Sequence, residues 1–350
     1  MSSLPPALAR RDLLKGAAAL GALSLGGLPP TLAAAQGAAP VITKNLPGKD
    51  EKLPAIGLGT FLAFDVLPGG DRSRLFEVTK RFWELGGRVI DTSPLYGSGE
   101  ITVGDATIAM DVNQQVFLAN KIWSTGEFLA DESHARKSLE QSLGRFWREK
   151  VDLMQCHSLV NVDVVMPILK AWKKEGRIRY TGLTHFENIY HAPLAAWLDR
   201  GGVDFVQVNY SVANRAAEET VLKAAARNET AVLVNMPFEK ARLFKLVEGR
   251  DLPSFARDIG VETWAAFFLK WAMSHPAVTC VIPATSNPDH LTQNMAAMSG
   301  PQPDPDMRER MARHVAGLPG FAEMARQPWY PGKRYPGMIA RAQAEIRARS

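Results

Sequence analysis

Eight short runs rich in β-branched residues alternate with amphipathic stretches along most of this 350-residue chain, and that alternation limits its fold more than any other property. The runs cover 55–59, 88–91, 115–121, 151–157, 179–184, 204–209, 231–235 and 279–283. Between them apolar residues recur at three- and four-residue spacing, the signature of a helix with one buried face. In 133–147, for example, Ala135, Leu139, Leu143 and Phe146 share a face. The same spacing predicts helices over 72–85, 164–174, 193–200, 216–227, 261–274 and 288–297.

Strands that alternate with helices pair in parallel through right-handed crossovers. Eight such units match the usual size, about 250 residues, of an α/β (β/α)8 TIM barrel. An open doubly wound sheet is the competitor, and it normally carries a Gly-rich turn after its first strand. Here Gly57-Leu-Gly-Thr60 lacks a third glycine and no helix follows directly. A barrel over 41–300 is therefore expected. Residues 41–54, with the turn Pro47-Gly48, read as a hairpin plugging its floor, and 301–350 as a helical and irregular extension. In that extension Trp329-Tyr-Pro-Gly332 and Tyr335-Pro-Gly337 suggest turns packed on a surface, which would cover the pocket, mediate assembly or, as the default, dress the barrel, followed by a helix from Met338.

The first 35 residues read as an address. Arg10-Arg11 and Lys15 precede a mild apolar stretch, Gly16 to Leu28, and the small-residue site Ala33-Ala-Ala35. That order is that of an export signal, and the paired arginines make it resemble a twin-arginine signal. The expectation is an exported, periplasmic protein whose partner is the twin-arginine export machinery, with a mature start at Gln36. After residue 40 no apolar run is long enough to span a bilayer, so an integral membrane protein is not expected.

The net charge of +5 sits at the ends of the chain. Residues 319–350 hold six basic side chains against two acidic ones, and the body is near neutral. A near-neutral body argues against a nucleic-acid partner. Cys156 and Cys280 lie in apolar runs and read as buried thiols outside any disulfide framework.

Three predicted strands end on ionisable residues: Asp91, Lys121 and His157, with Tyr96 in the loop after Asp91. In a parallel barrel these ends converge on one face. A phenol, an ammonium, a carboxylate and an imidazole gathered there can deliver a proton to a carbonyl oxygen, as carbonyl reduction requires. Taken singly, each has a plainer role, as a structural ion pair at the rim, a packing aromatic or a satisfied histidine.

The segment Asp91-Thr-Ser-Pro-Leu-Tyr-Gly-Ser-Gly-Glu100 resembles the aldo-keto reductase family, and so does Ala55-Ile-Gly-Leu-Gly-Thr60. Lys121 in Ala-Asn-Lys-Ile-Trp, His157 in Asp-Leu-Met-Gln-Cys-His, Thr181-Gly-Leu-Thr-His-Phe186, Gln207-Val-Asn-Tyr-Ser211 and Val281-Ile-Pro-Ala-Thr-Ser-Asn-Pro288 follow in the family's order. The resemblance implies an oxidoreductase that interconverts a small-molecule carbonyl and its alcohol with NADP or NAD. Tyr96 would be the general acid in reduction and base in oxidation. Its phenol, with an ordinary pKa of about 10, would be lowered by Lys121. Asp91 would orient that ammonium, and a neutral His157 would aim the substrate oxygen. Thr60, Thr184, His185, Gln207 and Asn235 would bind cofactor, and Thr285, Ser286, Asn287, Gln293 and Asn294 would meet its adenosine end. Phe61 and Trp123 would wall the substrate pocket.

This chain departs from the family in places. His185 replaces a more usual asparagine, and Asn235 replaces an aromatic that stacks on the nicotinamide. Ser158 stands where some members have an indole, which implies a wider pocket. Ala284 and His290 occupy positions where a lysine and an arginine often grip the 2′-phosphate of NADP, so NADP, favoured by the resemblance, has weakened contacts. Two other readings are a non-catalytic nucleotide-binding sensor on the same barrel, and a metal-dependent hydrolase using Asp91, His157 and His185.

Overall fold

The structure, a computed structural model, describes residues 41–123 and 132–349. The expected export signal, 1–35, lies outside the described residues. An antiparallel hairpin comes first, β1 (Thr43–Asn45) and β2 (Lys52–Pro54), with Thr43 opposite Pro54. Eight parallel strands follow: β3 (Leu58–Gly59), β4 (Val89–Asp91), β5 (Phe117–Ile122), β6 (Val151–His157), β7 (Ile178–Thr184), β8 (Phe205–Asn209), β9 (Ala231–Asn235) and β10 (Cys280–Val281). They pair in chain order. The sheet closes on itself where Gly57 N donates to Val281 O (2.8 Å) and Gly59 N to Pro283 O (3.0 Å). The expected (β/α)8 barrel is formed.

Helices return the chain between successive strands: α1 (Ser73–Glu84), α2 (Gly99–Ala109), α3 (Ser133–Phe146), α4 (Val162–Lys174), α5 (His191–Asp199), α6 (Val221–Arg227), the short α7 (Arg242–Leu246) and α8 (Trp264–Met273). After β10 come α9 (Pro288–Met295), α10 (Pro305–Ala316), α11 (Phe321–Met324) and α12 (Met338–Arg349). The apolar stripe anticipated on α3 is its core face, with Ala135, Leu139 and Phe146 buried.

Alternation along the strands divides the barrel in two. Outward residues such as Ile90, Leu118 and Met154 pack under the helices, and inward residues fill the lumen. At the floor Leu46 and Leu53 of the hairpin join the inward-facing Val89, Phe117, Leu153, Phe205 and Leu233 in one buried cluster. Burying each leucine contributes roughly 1.5–3 kcal/mol. The hairpin is therefore the plug that its sequence suggested, and the floor is dry and apolar.

Candidate active site

At the opposite end of the lumen the inward positions turn polar. Asp91 ends β4, and Lys121, Gln155 and Gln207 point inward from β5, β6 and β8. Lys121 Nζ donates to both Asp91 oxygens at 2.8 Å and to Thr92 O at 2.7 Å. The lysine is fully buried, and these acceptors make its burial tolerable. Burial pulls its pKa down, and the Asp91 charge opposes that fall. Asp91 also accepts from Gln207 Nε2 at 2.8 Å, and Gln207 Oε1 in turn accepts from Thr184 Oγ1 at 2.9 Å. One bonded layer therefore links β4, β5, β7 and β8.

Tyr96 stands above this layer. Its ring lies 5.0 Å from Phe61, 5.8 Å from His157 and 4.8 Å from the Lys121 ammonium, centroid distances throughout. The expected lowering of its pKa is not what the geometry produces. Burial raises the phenol well above its ordinary value, and the charge of Asp91 and the neighbouring Tyr330 add to the rise. Burial is the largest cause, and the Asp91 carboxylate that pairs with Lys121 pushes the phenol in the same direction.

His157 meets the expectation of a neutral imidazole. Burial first, then the charges of Lys121 and His185, pull its pKa from 6.5 to about 3. Its Nδ1 lies 3.1 Å from Ser93 Oγ, and that hydroxyl already accepts from Leu95 N at 3.2 Å. If the serine proton is given to Nδ1, the imidazole hydrogen sits on Nε2 and is free to meet a ligand in the cavity. Sequence reasoning missed Ser93, although it lies inside the very segment that carries Asp91 and Tyr96.

These groups open on one cavity of about 310 Å³. Asp91, Tyr96, His157, Thr60, Phe61, Ser158, Thr184, Gln207 and Asn235 all line it. Thr60 gives its hydroxyl to Asp91 O at 3.0 Å. Asn235 donates to His185 O at 3.2 Å, and its own Oδ1 is buried without a partner.

Other expected positions stand apart. His185 is outside the lining: its ring stacks on Tyr190 at 3.6 Å, and its Nδ1 accepts from Phe186 N and Glu187 N. Its Nδ1 is thus occupied by backbone donors. Trp123 is not among the lining residues either. Thr285 and Asn287 bond to the backbone at the start of α9, where Asn287 Oδ1 caps Asp289 N. Ser286 lies beside them, half-buried, while Gln293 is exposed and Asn294 buried, all outside the lining. Metal-assisted hydrolysis at Asp91, His157 and His185 has no geometry here, because Lys121 holds both Asp91 oxygens and Nδ1 of His185 is occupied. Among the described residues no cluster of three or more metal-ligating side chains occurs.

The largest surprise is the roof. Trp329, Tyr330, Lys333, Tyr335 and Gln343 of the C-terminal extension line the cavity, opposite Lys240, Phe186 and Phe244. Residues 327–337 are therefore a strap across the barrel mouth, the pocket-covering alternative, whereas the default expectation is turns dressing the outside. The aromatic-Pro-Gly repeats were the available signal. Such turns present flat apolar faces, and here they face inward.

A family model described as the aldo/keto reductase family matches residues 55–314. The Bacillus subtilis protein "Aldo-keto reductase YhdN" is 29% identical over 190 residues, which span 51% of this chain and only 56% of that relative. The Escherichia coli "NADH-specific methylglyoxal reductase" is 24% identical over 305 residues, 71% of this chain and 91% of its own length. Among solved structures, an aldo-keto reductase from Klebsiella pneumoniae in complex with NADPH superposes with a TM-score of 0.64 at 23% identity, covering 84% of this chain and 98% of that one.

Proposed function

Because this chain belongs to the aldo/keto reductase family, we propose that it interconverts a small-molecule carbonyl and its alcohol with a nicotinamide dinucleotide, and that Tyr96 is the proton donor. The observation that carries the reading is the convergence of Tyr96, His157 and the Lys121–Asp91 pair on one aromatic-walled cavity. The residues present also fit a nicotinamide. The unpartnered Oδ1 of Asn235 at the cavity wall is an acceptor suited to a carboxamide N–H. Nicotinamide, when bound, supplies the hydride, which no side chain can.

The chain's own groups do the rest. His157, neutral with its hydrogen on Nε2, donates a hydrogen bond to the substrate oxygen and fixes its direction. Tyr96 keeps its proton at neutral pH, because burial raises its pKa, and passes that proton to the oxygen as charge develops there. Lys121, 4.8 Å from the ring, faces the phenolate that forms. The aromatic side chains Phe61, Phe186 and Trp329 exclude water from the transfer. Both cofactor chemistries occur among relatives, one described as NADH-specific and one solved with NADPH.

Export through the twin-arginine pathway belongs to the same proposal. It rests on Arg10-Arg11, the apolar stretch and Ala33-Ala-Ala35. Such a route suits a protein that folds around its cofactor in the cytoplasm and retains it in the periplasm. Substituting both arginines by lysine is expected to leave the protein in the cytoplasmic fraction.

The decisive test is Tyr96→Phe, assayed with a panel of aldehydes and ketones. Turnover is expected to fall by at least about 10²-fold while dinucleotide affinity changes little. Unchanged turnover would remove Tyr96 from the mechanism. Dinucleotide binding with no turnover of any carbonyl by the native protein would instead favour the sensor reading.

A further inference from the structure

The strap is tied down at both ends. Arg242 Nε donates to Gln327 O at 2.8 Å, and Tyr330 N donates to Lys240 O at 2.8 Å. At the far end Asp65 Oδ2 accepts from Ile339 N at 2.7 Å, in the first turn of α12. Gly337 packs so closely on Asp65 that a Cβ would lie 2.4 Å from its carbonyl oxygen. Tyr330 itself sits at φ 55°, a region few tyrosines occupy, and its neighbours hold it there. The strap thus has a built conformation.

Lys333 rides on this strap. It lines the cavity, with its ammonium 5.8 Å from the Phe244 ring. It makes no ion pair among the described residues. Asp91 is the one acidic residue in the lining, and Lys121 engages it. Burial first, then the charges of Lys333 and of Arg74 in α1, lower the pKa of His290 in α9. His290 and Ala284 are the positions where the chain lacks the family's usual phosphate-gripping cations.

We propose that Lys333 binds a phosphate group of the dinucleotide, so that a cation missing from the segment after β10 is supplied by the C-terminal strap. The proposal rests on the dinucleotide reading above and adds to it a ligand from outside the region matched by the family.

The test is direct titration of full-length protein with NADPH and with NADH, followed by nicotinamide fluorescence, for native protein, Lys333→Gln and Lys333→Arg. Loss of a charge-assisted phosphate contact is expected to weaken binding by roughly tenfold or more in Lys333→Gln, with Lys333→Arg close to native. A loss confined to NADPH identifies the 2′-phosphate as the partner, and an equal loss for both identifies the diphosphate. Affinities of Lys333→Gln within about twofold of native for both dinucleotides overturn the proposal. Native protein that binds neither overturns the dinucleotide reading itself.

Discussion

Asp91 and Lys121 show how a buried charge is made bearable. The ammonium has three acceptor contacts at 2.7–2.8 Å, and the carboxylate gains a further donor in Gln207. Removing one partner strands the other without solvent. Lys121→Met is therefore expected to cost about 3–5 kcal/mol of stability, read from urea unfolding. A loss under about 1 kcal/mol would mean the pair is far more hydrated than its burial implies. The raised pKa of Tyr96 has a directional consequence for catalysis. A general acid works while protonated, so the rate of carbonyl reduction is expected to stay level from pH 6 to 9. Alcohol oxidation, which needs the phenolate, should still be climbing at pH 9. A reduction rate that falls through pH 7–8 would show that the phenol titrates far lower than its surroundings dictate. Three of the four residues were legible in the sequence because each stands at a predicted strand end, where position alone fixes direction, and Tyr96 because it follows in the loop after one of them. Their coupling was not legible. Whether a nearby lysine acidifies a phenol depends on how deeply the phenol is buried and on which other charges face it, and here burial and Asp91 both raise it.

Among elements, β6 and β9 were legible to the residue, and α3 nearly so. Strands buried on both faces read as short, mostly apolar runs, and α3 has a single apolar stripe. Helix α2 escaped notice for the opposite reason. Gly99, Glu100, Thr102, Gly104 and Thr107 are all buried, so its sequence shows no apolar stripe to detect. Glu100 is paired instead with Arg145 and Ser142 of α3 and with Asn120. Gly104 lies so near the end of α3 that a Cβ would sit 2.0 Å from Arg145 O. Gly104→Ala is thus expected to cost at least about 1–3 kcal/mol by forcing the two helices apart, a change that thermal unfolding would register. The strap is the other illegible element, since what a Pro-Gly turn covers depends on where the barrel mouth lies. Asp65→Ala should free α12 and expose the segment after Met324 to limited proteolysis at low protease concentration, with the barrel remaining intact. A tail equally resistant in native and variant protein would show that its aromatic contacts suffice to hold it.

At the scale of the whole molecule the lumen is graded, apolar at the hairpin floor and polar beneath the strap. That grading buries histidines in their neutral form, and His157 at about 3 and His185 at about 4 both lie below the ordinary 6.5. A folded-state pKa below the unfolded one gives stability that is complete above about pH 6.5 and lost as pH falls toward the folded value. His157 alone accounts for about 2 kcal/mol lost at pH 5. The melting temperature is expected to drop between pH 7 and pH 5, and the drop should be smaller in His157→Gln. Equal drops in both proteins would assign the acid sensitivity elsewhere. The barrel and its floor could be read from the alternation of runs, because periodicity reports which faces are buried. The roof could not, because it depends on contacts between the two ends of the barrel sequence. Asp65 makes the most of those contacts: one of its oxygens accepts from Ile339 in the strap's terminal helix, the other from Ser98, two residues past Tyr96. The tail and the loop that carries the phenol therefore share one carboxylate, so whatever shifts one pulls on the anchor of the other.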